Sequence, residues 1–259
     1  MKKILTLLAL TISFSINAQM DDNSHPSNNS AGTYSVAMGN GTTASGNYST
    51  SMGYETTASG SRSTAMGSGT AASGNNSTAM GYFTTASGNK TTAMGAHTTA
   101  NDYASLVIGQ FNSSGSSANL LSATSFNTSN TAFVIGNGTN SSNKSDAFKV
   151  MFNGDTTVGG DITISSDARL KSNIVSLGST LSKLLLIDGK SYEKDGKQRI
   201  GVLAQEIQEV FPELVSEDDN EMLAVNYQGL VPILINALKE QNEKINRLEK
   251  LVEKIVSKQ

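Results

Sequence analysis

Residues 35–104 read SVAMGNGTTASGNY, STSMGYETTASGSR, STAMGSGTAASGNN, STAMGYFTTASGNK and TTAMGAHTTANDYA, five units of 14 residues without a gap. Met38, Met52, Met66, Met80 and Met94 recur at that spacing and Ile108 continues the series. A glycine follows each of them: Gly39, Gly53, Gly67, Gly81, Gly95 and Gly109. Self-similarity at a fixed period marks a stacked-repeat architecture. Each unit offers a short alternating stretch such as Thr64-Ala65-Met66, expected to point its Met inward, then a glycine at a corner, with a second turn at Ser73-Gly74. Two brief strands and two turns per unit predict one coil of a narrow β-roll. One Met and a few Ala per coil cannot offset the ordering entropy of the whole unit, so lateral association is expected to supply the missing burial.

The spacing, with Ala44, Ala58, Ala72 and Ala86 each followed by Gly46, Gly60, Gly74 and Gly88, resembles the head repeats of YadA-type trimeric autotransporter adhesins. The resemblance implies a left-handed parallel β-roll within a trimer. The last unit departs from the pattern, with Asn101-Asp102 in place of Ser-Gly, which suggests that the roll ends there. A Gly/Ser/Thr-rich disordered linker has a similar composition, but it has no need of a strict Met-Gly register. Only Glu55, Arg62, Lys90 and Asp102 are charged between residues 35 and 104. The expected surface is therefore a carpet of hydroxyls and amides, suited to adhesion but naming no ligand. His97 is expected to be an exposed, neutral, solitary side chain, because nothing near it in sequence supplies metal-binding partners.

The rest of the chain has a different composition. Of 259 residues 37% are hydrophobic and 6% aromatic, and there is no Trp, so a single large core is not expected. Charged and long aliphatic side chains concentrate after Ser166. A net charge of -3, with Lys and Arg scattered among acidic residues, gives no phosphate-neutralising surface and argues against a nucleic-acid partner. Cysteine is absent, so there is no disulfide framework and no thiolate metal site. No motif asks for a cofactor or a metal.

Residues 1–18, MKKILTLLALTISFSINA, pair Lys2 and Lys3 with an apolar run from Ile4 to Phe14 and small residues up to Ala18. That is the pattern of a secretory signal peptide. The alternative, a membrane anchor, needs about 20 apolar residues and the run is shorter. The mature chain is expected to start near Gln19, to carry no membrane span and to be secreted or attached at the cell surface. Residues 19–34 read as a linker, 35–110 as the roll and 111–165 as a β-rich connector. Within the connector Ala132–Gly138 reads as a strand running into a turn and Ala147–Phe152 as an alternating strand, with Asn153-Gly154-Asp155 a tight turn before Thr156-Thr157-Val158. This run resembles stalk segments that precede self-processing chaperone domains in phage tail fibres.

From Ser166 onward three motifs carry a second resemblance. They are Ser166-Asp167-x-Arg169-x-Lys171 with Asn173-Ile174, the stretch Ile200-Gly201-Val202-Leu203-Ala204-Gln205-Glu206 running to Phe211-Pro212-Glu213-Leu214-Val215, and Val225-Asn226-Tyr227. Residues 166–230 resemble the C-terminal intramolecular chaperone of phage endosialidases and tail spikes, an α+β domain. The resemblance implies that the domain trimerises, guides folding of the upstream fibre and cuts the chain between Ser165 and Ser166. Carried over, the catalytic residues are Ser166 as nucleophile and Lys171 as proton acceptor, with Asp167 beside them. Some members implicate a histidine, and this chain has none after His97. Five residues separate Ser166 from Lys171, about 140° on an α-helix, so the serine is expected before a helix or paired across protomers. Without the resemblance, Ser166 reads as an ordinary N-cap of a helix carrying Leu170, Ile174 and Leu177. Glu206 reads as a solvated or capping carboxylate on an amphipathic helix from Ala204 to Phe211.

Residues 231–259 place Val231, Leu234, Leu238, Ile245, Leu248, Val252 and Ile255 at a and d heptad positions with Gln241 as the polar member, which predicts a coiled coil. Three strands would match the trimer. The expectation is an exported homotrimeric fibre that binds an unknown extracellular surface ligand and frees itself by single-turnover autoproteolysis. The alternative is a fibre whose C-terminal domain is a permanent, uncut trimerisation clamp. An enzyme acting on external polysaccharide lacks a catalytic domain upstream of the chaperone segment.

Overall fold

The computed structural model describes residues 28–115, 123–194 and 196–258. The signal peptide expected at residues 1–18 lies outside them. The chain divides into two compact units between Ile164 and Ser165.

The first unit is a β-solenoid. Five-residue strands β1 (Val36–Asn40), β3 (Thr50–Tyr54), β5 (Thr64–Ser68), β7 (Thr78–Tyr82), β9 (Thr92–Ala96) and β11 (Leu106–Gln110) alternate with two-residue strands. The short ones are β2 (Thr43–Ala44), β4 (Thr57–Ala58), β6 (Ala71–Ala72), β8 (Thr85–Ala86) and β10 (Thr99–Ala100). Both sets stack in parallel with the register of the repeat, Met52 on Met66 and Gly53 on Gly67 in one sheet, Ala58 on Ala72 in the other.

The methionines are not the core. Strand alternation puts Ala65 inside and its neighbours Thr64 and Met66 outside. Ala37, Ala65, Ala79 and Ala93 from the long strands meet Ala44, Ala58, Ala72, Ala86 and Ala100 from the short ones, all fully buried. Serines and threonines such as Ser63 and Thr91 fill the remaining interior, and each of these two donates its hydroxyl to the carbonyl three residues back at 2.7 Å. So thin a coil leaves room for side chains of that size only. Met38, Met52, Met66, Met80 and Met94 therefore form a half-buried outer row along the long-strand sheet.

Glycine is indispensable where coils touch. Gly67 has φ +119°, and a Cβ built there would lie 2.0 Å from the carbonyl oxygen of Gly81. Most other corners do without it: Tyr48, Arg62, Asn76 and Lys90 on one edge, and Glu55, Phe83, His97 and Phe111 on the other, where Gly41 and Gly69 hold the same position, all take positive φ. A left-handed residue costs about 1–2 kcal/mol. In return its N–H points along the axis, as Arg62 donates to Asn47 O and Phe83 to Ser68 O, both at 2.8 Å.

At Asn101-Asp102 the short-strand sheet stops, because β10 is its last member, but the long-strand sheet does not. The side chain of Asn112 replaces the next short strand, accepting from Thr99 N at 2.8 Å and donating to Thr99 O at 2.9 Å. Asp102, which stands at the glycine position, is buried and accepts from Thr131 N at 2.9 Å and from the Thr131 hydroxyl. That clamp starts β12 (Thr131–Asn137), which pairs in parallel with β11; β13 (Asp146–Met151) and β14 (Thr156–Val158) follow antiparallel. The strands read as a connector thus continue the same nine-stranded sheet.

The second unit has a small core. Helix α1 (Leu181–Leu184), hairpin β15 (Lys190–Lys194) and β16 (Lys197–Gly201), helix α2 (Ala204–Val210), hairpin β17 (Val215–Glu217) and β18 (Leu223–Val225), and helix α3 (Leu230–Val256) succeed one another. Ile207, Phe211, Leu214 and Ile233 are its buried cluster. Only the first turns of the 27-residue α3 are covered, through Ile233 and Ala237. Its heptad residues stay open, from 46% exposed at Ile245 to 67% at Leu238. Among the described residues no helix is long and apolar enough to cross a membrane.

Candidate functional site

The stretch from Asp161 to Ser179 is exposed throughout, and its one regular turn is a 3-10 helix over Ala168–Leu170. The α-helix suggested by the spacing of Leu170, Ile174 and Leu177 does not form; those side chains are 73%, 67% and 52% exposed and face nothing that would reward one. The turn is capped by Asp167, not by Ser166. The Asp167 carboxylate accepts from Arg169 N at 2.9 Å, and Leu170 N and Lys171 N donate back to Asp167 O and Ala168 O at 3.1 Å.

Ser166 sits just before this turn, and Lys171 just after it has an extended backbone, φ -122° and ψ 144°. A tight turn followed by an extended residue sends the lysine side chain back over the start of the turn. Lys171 Nζ donates to Ser166 Oγ at 2.7 Å within one chain. The obstacle of five-residue spacing is thus removed by replacing the α-helix with a shorter, tighter turn.

Asp167 does not touch the serine hydroxyl. It forms a fork with Arg169, whose Nε donates at 3.1 Å and Nη2 at 2.7 Å to the two carboxylate oxygens. The guanidinium hydrogen bonds hold the Asp167 carboxyl below its ordinary value, and Asp167 in turn raises Arg169. The N–H groups of Arg169, Leu170 and Lys171 are all used inside the turn, so none of them faces the Ser165 carbonyl as an oxyanion donor.

Two other residues named from sequence take structural places. Glu206 lies 3.3 Å from Lys190 and accepts from Asp188 N at 3.1 Å, tying α2 to the entry of β15. His97 is half-buried rather than solitary: its ring stacks between Phe83 and Phe111, with centroids at 5.4 and 4.4 Å. These residues lie one coil apart at the same corner, a relation the repeat contained. Glu240 on α3 was invisible to sequence reading. It accepts from Ser179 Oγ at 2.7 Å and from Thr180 N and Leu181 N, capping α1, and no local signal joins positions 60 residues apart. Among the described residues no group of three or more His, Asp or Glu converges to hold a metal.

Comparison with known proteins divides the chain at the same place. Residues 166–216 match the family model described as chaperone of endosialidase, beginning at Ser166 itself. Segments 30–56, 58–84, 72–98 and 86–112 match the YadA head domain repeat. Among curated proteins, the long tail fibre protein Gp37 of Enterobacteria phage K3 is 33% identical over 100 residues, 34% of this chain and 8% of the relative. Gp37 of Salmonella phage S16 is 28% identical over 108 residues, 37% of this chain and 14% of the relative. Gp37 of Enterobacteria phage M1 is 31% identical over 101 residues, 34% and 40% of the two chains. The chain spans well under half the length of these relatives.

Proposed function

We propose that this chain is an exported homotrimeric fibre with an adhesin-like head, and that its C-terminal unit directs assembly and then cuts the chain between Ser165 and Ser166. The observation that carries the cut is the 2.7 Å hydrogen bond between Lys171 Nζ and Ser166 Oγ, on the first residues matched to the chaperone of endosialidase. Ser166 Oγ attacks the Ser165 carbonyl carbon while the amine of Lys171 takes the hydroxyl proton. The C–N bond between the two residues breaks, its nitrogen receives that proton, and an ester joins Ser165 to Ser166 Oγ. Water then hydrolyses the ester to a Ser165 carboxylate and a free Ser166 with its α-amine and hydroxyl.

Self-association is supported by the open heptad row of α3 and by the outer row of methionines. It also gives the cut its timing. An amine accepts a proton only in its neutral form, which desolvation favours. Ser166, Leu170, Lys171 and Ile174 are all exposed in one chain, and the turn's own N–H groups are occupied. Neighbouring copies that cover the arm would desolvate the amine and bring oxyanion donors.

The test is a denaturing gel of purified protein without added protease, with sequencing of the fragment's first residue. A fragment of residues 166–259 that begins at Ser166, and that is lost in Ser166→Ala while the trimer remains, supports the reading. An intact trimer of wild-type protein makes the C-terminal unit a permanent clamp.

A further inference from the structure

We propose that Asp167 and Arg169 are positioning residues for self-cleavage: their fork closes the turn that brings Lys171 onto Ser166, and Asp167 itself handles no proton. The inference rests on the reading of Ser166 and Lys171 as the reacting pair. Three features point to it. The Asp167 carboxylate caps the turn through Arg169 N at 2.9 Å, so the backbone path from Ser166 to Lys171 depends on it. The same carboxylate is gripped by Nε and Nη2 of Arg169, which fixes its rotamer and leaves both oxygens engaged. The serine hydroxyl instead meets Lys171 Nζ, at 2.7 Å.

The pair is also poorly placed to act as an ordinary stabilising salt bridge. Its side chains are 45% and 89% exposed, a setting in which ion pairs contribute little to stability. Neither residue belongs to the buried cluster of the second unit. What the fork does hold is a conformation: with an open turn, Lys171 swings away from Ser166 and the pair is lost without loss of the fold.

Cleavage is followed after dilution of full-length protein from denaturant, across pH. Asp167→Ala is expected to slow the cut about tenfold or more, in line with the cost of misplacing a reacting group by an ångström. Asp167→Asn keeps the cap to Arg169 N, since Asn and Asp cap equally well, but gives up one of the two oxygens that the guanidinium grips, so it is expected to fall between wild type and Asp167→Ala. Arg169→Lys, a point charge that cannot fork, should behave like Arg169→Ala. The plateau rate, where the profile no longer changes with pH, is the quantity compared among the variants. Asp167→Asn as slow as Asp167→Ala, or Asp167→Ala cutting at the wild-type rate, overturns the proposal.

A second readout does not require cleavage. The chain has no cysteine, so Ser166→Cys introduces a single thiol whose titration can be followed by alkylation. Beside Lys171 it should ionise below the ordinary value of about 8.5. Adding Asp167→Ala should raise it as the turn opens, although removal of a negative charge alone would lower it. A lowered value overturns the positioning role. If wild type stays uncut while the thiol behaves as expected, the geometry stands and the cleavage reading falls.

Discussion

In the roll, Ala65, Ala79 and Ala93 are fully buried although each side chain is a single methyl group, whereas in the C-terminal unit Leu170, Ile174, Leu185 and Leu186 are all more than 60% exposed. The roll economises on side chains because backbone hydrogen bonds run along its axis from coil to coil, residues such as Thr57 donating to the following coil and corners such as Arg62 to the preceding one. The C-terminal unit relies on side chains and leaves most of its apolar length uncovered. Small, repeated residues can close an interior within one chain; large, unrepeated ones on an arm and a long helix are left uncovered by it.

The sharpest way to break the first half of that contrast is at the coil contacts. Gly67→Val puts a branched side chain at φ +119° and a Cβ 2.0 Å from Gly81 O, a clash that only a backbone shift relieves. The expected loss exceeds about 4 kcal/mol, the range reserved for such strain. Circular dichroism should show the β signal of the first unit gone, while a fragment of residues 165–259 melts as before. A roll that tolerates the valine would mean the coils are not stacked in this register.

In the C-terminal unit the equivalent blow is a cavity. Ile207 is fully buried among Phe211, Leu214 and Ile233. Ile207→Ala should cost about 2–5 kcal/mol, as truncation of a buried aliphatic does. Thermal unfolding of the fragment measures it, and the β signal of the first unit in the full-length variant should be unchanged. A loss below 1 kcal/mol would show that this small cluster is not what holds the unit together.

These contrasts bear on what the sequence could disclose. The period, the two turns per unit and the strands from Thr131 to Val158 were legible because each is a local pattern repeated or bounded by turn residues. The inward face was misassigned: Met66 looked like core by hydrophobicity alone, and only the width of the coil puts Ala65 there instead. Left-handed corners at Arg62 and Phe83 were illegible for the same reason, since the hydrogen bonds that favour them come from the preceding coil. At the site, the residue types were readable from the motif, but the tight turn that joins Ser166 to Lys171 was not. Helical spacing of Leu170, Ile174 and Leu177 pointed to an α-helix whose packing partners one chain does not provide.

A smaller effect tests whether α3 is an assembly seam. Gln241 lies on the exposed heptad row between Leu238 and Ile245. If copies pair along it, Gln241→Leu should raise Tm and make it depend on protein concentration, while the variant populates more than one oligomer size in light scattering, because a polar layer trades stability for register. An unchanged Tm would place Gln241 outside the seam.

The smallest effect separates the fold of one unit from its assembly. Glu240 caps α1 from α3, and its carboxyl is held below the ordinary value of about 4.5, first by the Ser179 hydroxyl and then by Thr180 N and Leu181 N, against a modest opposing desolvation. A carboxyl lowered on folding stabilises the folded state above its unfolded value, and that contribution fades as pH falls through the folded one. Glu240→Gln keeps an oxygen for the cap but loses the charge that strengthens it. Wild type should therefore be slightly more stable than Glu240→Gln at pH 7, and the difference should be full down to about pH 4.5 and vanish in stronger acid. Paired denaturant melts of the 165–259 fragment across that interval read it. A difference that grows with acid, or one that tracks protein concentration instead of pH, would mean that Glu240 acts between copies and not as the clasp between α1 and α3 within one chain.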